Sequence, residues 1–518
     1  MYKNLKLVKT GLVAGSMLLA VSMMLSACGS KTTQETASPA AAKPAESATA
    51  TVTPAALPEV KLTWYFPGNF PQPEQDKVFA EVNKVLKAKL NATVDFKPLA
   101  FGDYDQKMQV VIASGEAYDI AFTASWINNY SQDVAKGALL PLDDLLTKYA
   151  PKSYASVPKS MWDATKVKGK IYGFVNQQIS ARTPALMFPK DLTDKYKLDL
   201  SSVSGKINAD TLNLLEPYVT NVHKDDPKKA FITSFDQFGD LFNLDYISGF
   251  NVPGGVDYAD GSLKVVNQFE TPQAKKFAAT MRDWNAKGLL NSKERVSQKK
   301  DEWTDAKAGK WAMNIGGAYK PGGNIGETAQ AGYPMVDAPA GTQHLTTGGI
   351  TATMQGINRN SKNPERAMMV LELLNTDKDL YNLLNFGMKD NHFKIDGDGF
   401  MVPGDNQKAY NPQVAWMFAS NFLANVEKGM PKTVWDDTKK INETATPSKL
   451  LGFNFDAEPV KSEIAKTSAV YDEYSRSIEL GIASEDKYNE FLAKLKTAGS
   501  DKIIAEMQKQ VDAWKSSK

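Results

Sequence analysis

From Val60 onward the chain alternates short β-branched or aromatic runs with helical patterns, and this alternation constrains the fold more than any other feature. Val60 to Phe66 (VKLTWYF) has strand composition, and Pro67-Gly68-Asn69 stops it. Pro73 and Glu74 open a helix whose apolar residues Val78, Val82, Val85 and Leu86 keep helical spacing to Leu90. Ala92 to Lys97 reads as a second strand. Asp103 is positioned to cap a helix through Ile112, closed by Gly115, and Tyr118 to Thr123 reads as a third strand. Strand–helix–strand units at this spacing predict a parallel sheet with right-handed crossovers.

In open α/β sheets, ligands bind beyond the carboxyl ends of the strands. Here those ends are Phe66 to Phe70, Pro98 to Asp103, and Ala124 to Tyr130. The first offers Tyr65, Asn69 and Phe70; the third offers Ser125, Trp126, Asn128 and Tyr130. Aromatic faces beside amides suit a sugar, whose C–H faces stack while its hydroxyls need paired donors and acceptors. By alternation Trp64 and Phe66 point into the core. Trp126 sits at a strand end, and the pattern leaves open whether it faces cleft or core.

Composition removes several other chemistries. The 518 residues carry 61 Lys plus Arg against 59 Asp plus Glu, a balance that argues against a nucleic-acid binder. A single Cys excludes internal disulfides and Cys-cluster metal sites. The three His (His223, His344, His392) lie far apart and in no HExxH arrangement, so a zinc hydrolase is not expected. No metal and no cofactor are expected. Length suggests roughly three domain-sized units, or two large ones.

The lone Cys belongs to the N-terminus. Lys3, Lys6 and Lys9 precede the apolar or small stretch Thr10 to Ala27, which ends in Leu25-Ser26-Ala27-Cys28. A basic start, an apolar core and small residues before a cut site describe a secretory signal over residues 1–27. The ending resembles a bacterial lipobox, which implies a lipid on Cys28 and a protein held outside the cytoplasmic membrane of a Gram-positive-like bacterium. Removing residues 1–27 deletes three Lys and no acid, so the mature charge becomes 58 − 59 = −1. Residues 28–58 are mostly Ala, Thr, Ser, Pro and Glu, and read as a flexible tether.

Four further segments carry a family resemblance. Ala113-Ser114-Gly115-Glu116-Ala117-Tyr118-Asp119-Ile120, Gly137 to Asp144, Lys168 to Phe174, and Asn363-Pro364-Glu365-Arg366-Ala367 resemble, in order, motifs of extracellular solute-binding proteins of carbohydrate-type ABC importers. Leu451 to Phe455, Val460 to Glu463, and Gln510 to Trp514 are similar to the C-terminal domain of LipO-like lipoproteins. Tyr118 stands where a Pro is frequent, Lys168 where Asp is usual, and Val175 where Pro is usual.

The resemblance implies an α/β, two-lobed, periplasmic-binding-protein-like fold of type II, each lobe a mainly parallel sheet flanked by helices, with a hinge of crossing segments and a C-terminal helical extension. The expected layout is lobe 1 over 60–180, lobe 2 over 181–340, return to lobe 1 over 341–410, and lobe 2 completion with the helical domain over 411–518. It also implies a monomer, an oligosaccharide ligand, hinge closure, and delivery to an ABC permease, with no reaction of its own. Peptide-binding ABC lipoproteins are the alternative. An anchored glycoside hydrolase would require a facing carboxylate pair, to which no motif points.

On that layout the first crossing lies near Asn176 to Leu186, bringing Gln177 and Arg182 to the cleft. A guanidinium there can grip a carboxylate or a vicinal diol, though a surface Arg paired with an acid is an equally good reading. Lys310 to Ile315 reads as a strand, and Tyr319 after it as a stacking aromatic. Gly316 to Gly326 is no phosphate loop, with no Gly-Lys-Ser/Thr and no helix pattern beginning there. In Gly387 to His392, Asn391 and His392 are ligand candidates, with a packed or solvent-facing His392 the simpler reading. Phe453, in the C-terminal motif, completes the set. Asp396-Gly397-Asp398-Gly399 lacks the later ligands of a calcium loop and reads as a turn. Pro459 to Leu480 and Ser500 to Trp514 are amphipathic helices expected to pack on the second lobe.

Overall fold

The computed structural model describes residues 57–297 and 302–517. The expected signal segment, the lipid attachment expected at Cys28 and nearly all of the expected tether lie outside the described residues.

The first lobe opens with β1 (Val60–Gly68), α1 (Gln75–Leu90), β2 (Ala92–Ala100), α2 (Phe101–Ser114) and β3 (Ile120–Thr123). β1 pairs in parallel with both β2 and β3, with Trp64 opposite Phe96 on one side and Ile120 on the other. Trp64, Tyr65 and Phe66 are all buried, because the sheet, parallel over β2-β1-β3 and antiparallel at the Met354–Ile357 strand, is covered on both faces. The Trp64 indole is satisfied by Gln355 Oε1 at 3.0 Å. α2 starts at Phe101, so Asp103 lies in its first turn rather than at its cap, where the helix dipole favours an acid. Gly115, left-handed at φ +70°, ends it.

After β4 (Gly173–Val175) the chain leaves the lobe through β5 (Ala181–Arg182). The second lobe is built on β6 (Ala185–Pro189), β7 (Ala230–Thr233), β8 (Trp311–Gly316) and, after α3 (Gly323–Ala331), β9 (Met335–Pro339). Their order is β9-β6-β8-β7, with β6 antiparallel to both neighbours and only β8 and β7 parallel, so this sheet is not the mainly parallel one expected; Phe231, Phe235, Phe277 and Trp284 centre the core beneath. A helix therefore does begin within Gly316–Gly326, contrary to the sequence reading. Gly322 at φ +70° starts α3, and the run Gly-Asn-Ile-Gly-Glu hides it by carrying almost no apolar period.

β10 (His344–Leu345) leads back, β11 (Met354–Ile357) completes the first sheet between β3 and β4, and α4 (Pro364–Thr376) follows. The first-lobe core takes in Tyr410, Val414, Met417, Phe418 and Ala424. The expected limit of residue 410 is therefore too early: these side chains complete the first-lobe core, and the passage runs through α5 (Val434–Thr444) to Ala445. β12 (Thr446–Pro447) then crosses again, and α6 (Lys461–Glu479), α7 (Glu485–Ala498) and α8 (Ser500–Ser516) form the C-terminal region. Tyr471, Tyr474, Ile478, Phe491 and Leu495 enter the second-lobe core. Ile503, Met507 and Val511 pack on Val256, Val265 and Leu450.

The three crossings form one small sheet, with β10 flanked by β12 and β5. Asn442 of α5 clamps it, accepting from the Ser180 and Ala181 amides at 2.8 and 3.1 Å and donating to the Gln178 carbonyl. A Cβ on Gly349 would lie 2.3 Å from the Ser180 carbonyl oxygen, so only glycine lets the first two crossings approach this closely. Asp396 Oδ1 accepts from the Asp398 and Phe400 amides at 3.0 Å and closes a hairpin turn.

Candidate functional site

On the first-lobe side, the carboxyl ends of β2 and β3 bring Phe101 and Trp126 together, and the return passage adds Trp416. Ring centroids are 6.3 Å apart for Phe101–Trp126, 6.1 Å for Trp126–Trp416 and 6.4 Å for Phe101–Trp416. Phe101 and Trp416 are half-buried, whereas Trp126 keeps 49% of its surface exposed. Its Nε1–H donates to the Ala352 carbonyl at 2.8 Å, and the Ser125 amide donates to Thr351. This aromatic wall is thus fastened to the segment that follows the second crossing.

On the second-lobe side, Arg182, Thr183, Gln237, Asp240, Gly317 and Ala318 line a recess of about 150 Å³. Arg182 comes from β5, Asp240 ends the short helix Phe235–Gly239, and the glycine–alanine wall follows β8. Arg182 and Asp240 both keep solvent-exposed surface, yet they stand deep enough among protein atoms for desolvation to govern their ionisation. Desolvation pulls the guanidinium below its ordinary value, against the Asp240 charge. It pushes the Asp240 carboxyl up to about 6, opposed by Arg182 and reinforced by Asp236. Beside them, His344 pairs with Arg182 across the crossings and stacks on Tyr258, with centroids 3.7 Å apart and planes at 5°. The buried His344 Nδ1 has no hydrogen-bond partner.

A second charged group lies further along this face. Glu327 and Asp337 are pushed up to about 8 and about 6, chiefly by burial. Lys320 is lowered by burial despite the acids around it, one of which is Glu427 from the return passage. The lobes touch here: Gly322 lies against Met430 and Val434. On the other flank, Asn454 donates to the carbonyls of Ala164 and Lys166 at 3.3 and 3.0 Å.

The sequence candidates divide by burial. Trp126 and Arg182 stand in the cleft walls. Tyr319 is half-buried beside the recess, its amide donating to Thr183, and burial with Asp337 raises its hydroxyl pKa. Asn69 is exposed and donates to the Pro412 carbonyl; Gln177 is half-buried and donates to Ser156 Oγ. Asn391 is half-buried, donating to Glu74 and accepting from Asn406.

Four candidates are corrected, because packing occupies the side chain. Phe70 packs edge-on against Phe66 in the first-lobe core. Tyr130 is buried with Leu139 and Met354 and donates to the Thr165 carbonyl. His392 is fully buried, its Nδ1 accepting from the Met388 amide and its Nε2 at 3.2 Å from Glu74. Phe453 packs near Trp514 in the C-terminal cluster. Sequence reasoning missed Phe101, Trp416, Gln237, Asp240 and Tyr258, which no local motif marks. Among the described residues, no group of three His, Cys, Asp or Glu could hold a metal ion, and no helix is long and apolar enough to cross a membrane.

Two lobes joined by three crossings, with an aromatic wall and a polar recess beside the crossings, have the layout of a two-lobed binding protein. The chain belongs to the family described as "Bacterial extracellular solute-binding protein", which matches residues 72–380, and is a binding protein rather than an enzyme. Residues 449–516 match a domain of unknown function (DUF3502). The chain is 28% identical over 446 residues to a "Carbohydrate ABC transporter substrate-binding protein" of Streptococcus pneumoniae, covering 85% of this chain and 88% of the relative. Among solved structures it is similar to the N-glycan transport solute binding protein of Streptococcus pneumoniae, at 26% identity and TM-score 0.77, over 88% of this chain and 99% of that one. The same protein in complex with Man5GlcNAc matches at 26% identity and TM-score 0.70, over 89% and 99%. At 17% identity and TM-score 0.56, an alginate-binding protein shares the fold, over 88% of this chain and 99% of that one.

Proposed function

We propose that the chain is a lipid-anchored, monomeric substrate-binding protein of an ABC importer, which captures an oligosaccharide between its lobes and hands it to the permease. The observation that carries this reading is the half-exposed Trp126, set with Phe101 and Trp416 at one side of a hinge whose other side holds an open polar recess. Sugar rings present apolar faces to such a wall and hydroxyls to such a recess. The carbohydrate and N-glycan transport relatives support the same ligand class. Contacts from both lobes are complete only when they approach, so ligand shifts the population toward closure, and the permease recognises the closed form. The lipobox ending at Cys28 supports anchoring on the outer face of the cytoplasmic membrane.

Calorimetry on residues 29–518 against neutral glycan fragments, Man5GlcNAc among them, together with a peptide panel, tests the reading. Micromolar or tighter glycan binding is expected. Binding of peptides with no glycan bound would sink it.

A further inference from the structure

We propose that Arg182 and Asp240 act as a charge-balanced gate that accepts a neutral sugar ring bearing adjacent hydroxyls and rejects sugars carrying a net charge. The inference deepens the oligosaccharide reading and rests on it.

Both side chains line the same recess of about 150 Å³. Their backbones are fixed independently, Arg182 by its pairing with His344 in the crossing sheet and Asp240 at the end of the helix Phe235–Gly239. They are near enough for each to perturb the other's ionisation. Yet among the described residues no hydrogen bond or ion pair joins them, and neither bonds to any other side chain. The scaffold therefore holds a cation and an anion open across a space lined otherwise by Thr183, Gln237 and two side chains no larger than a methyl, Gly317 and Ala318.

A hydroxyl both donates and accepts, a guanidinium only donates, and a carboxylate only accepts. Two adjacent hydroxyls of a neutral ring complete the set: one donates to Asp240 while its neighbour accepts from Arg182, each bond being charge-assisted. A uronate would satisfy Arg182 but press a second negative charge on Asp240, in surroundings that already resist the first. An amino sugar meets the mirror problem at Arg182. Gripping a carboxylate and gripping a diol, the two uses open to a lone arginine, are thus separated by the acid across the recess.

The test measures calorimetric dissociation constants at pH 7 for the chain from residue 29 to its end. The probes are Man5GlcNAc and a tetrasaccharide of galacturonic acid. The wild-type protein is expected to prefer the neutral probe by at least about tenfold, since one unfavourable charge contact of this kind is worth about that factor. Asp240→Asn should narrow the ratio to about threefold or less, and Gln237→Glu, which adds a second carboxylate to the recess, should widen it. Gln237→Glu is an independent readout should Asp240→Asn fail to fold. A ratio unchanged in whichever of these variants fold, or a wild type that binds the uronate as tightly, overturns the gate. If Trp126→Ala weakens Man5GlcNAc while the ratio ignores both recess variants, the gate fails and the cleft reading stands. If neither probe nor any other glycan binds, both fall.

Discussion

The indole of Trp126 and the carbonyl of Ala352 are joined by a 2.8 Å hydrogen bond, which fixes a half-exposed ring to the segment returning from the hinge. One edge of the ring is tethered and about half of its surface stays exposed beside Phe101 and Trp416, which holds the ring in place before any ligand arrives. Trp126→Ala is expected to weaken oligosaccharide binding by about 1–3 kcal/mol, taking base–aromatic stacking as the guide, with little change in the melting temperature. Calorimetry and thermal denaturation of the same variant read the two effects separately. Unchanged affinity would remove Trp126 from the site.

Gly349 sits where two crossings nearly touch. Gly349→Ala places a methyl 2.3 Å from the Ser180 carbonyl, and since that neighbour is backbone rather than a flexible side chain, the crossings must separate. A loss of about 1–3 kcal/mol in stability is expected, with altered ligand-induced compaction by small-angle scattering. A variant as stable as the parent, with the same compaction, would show the hinge tolerating the methyl.

Acid should weaken the fold partly through His392. Burial lowers its pKa below 6.5, outweighing the hydrogen bond its Nε2–H donates to Glu74, which raises it, and its Nδ1 must stay unprotonated to accept from the Met388 amide. The folded state therefore binds fewer protons than the unfolded chain once the pH drops below about 6.5, and stability falls with further acidification. His392→Gln should flatten this slope between pH 7 and 5. At pH 7, His392→Ala is expected to cost about 1–3 kcal/mol through unpaired Met388 and Glu74 groups. A pH profile unchanged in His392→Gln contradicts the assignment.

Glu327 acts in the opposite direction. Its carboxyl is pushed from 4.5 up to about 8 by burial and by Asp337, against Lys320. The stability this gives is fully present below pH 4.5 and is lost as the pH climbs through about 8. Glu327→Gln should stabilise the protein at pH 9 by on the order of 1 kcal/mol, allowing for partial exposure, and have a smaller effect at pH 6. Denaturation midpoints at the two pH values check this; a larger gain at pH 6 would reverse the sign.

Cys28→Ser should stall the precursor or release the protein into the medium, as followed by fractionation of cells expressing the full chain. Normal membrane retention would disprove the lipid anchor.

Legibility in the sequence followed the range of the interactions. The β1-to-β3 alternation, the burial of Trp64 and Phe66, and the strand after Lys310 were readable, because each depends on periods of two or 3.6 residues within one segment. Trp126 stands half-exposed at its strand end and Arg182 lines a recess at a crossing, positions that the segment pattern makes legible. Tyr130 and Phe70 shared the first kind of position and turned inward, since a strand end does not say which way the next side chain points. His392 kept its polar character but spent it on Glu74, more than three hundred residues earlier.

The sequence by itself determined the class: strand–helix alternation and ordered family motifs define a two-lobed solute-binding protein. Tertiary structure alone decided which side chains the candidate site brings together. Trp416 joins Trp126 only after the chain has crossed to the second lobe and back, and Asp240 shares a recess with Arg182 from 58 residues further along the chain, pairings that leave no trace in local periodicity. Local pattern records which face of an element must be buried, whereas a cleft is made where two separately folded surfaces stop short of contact.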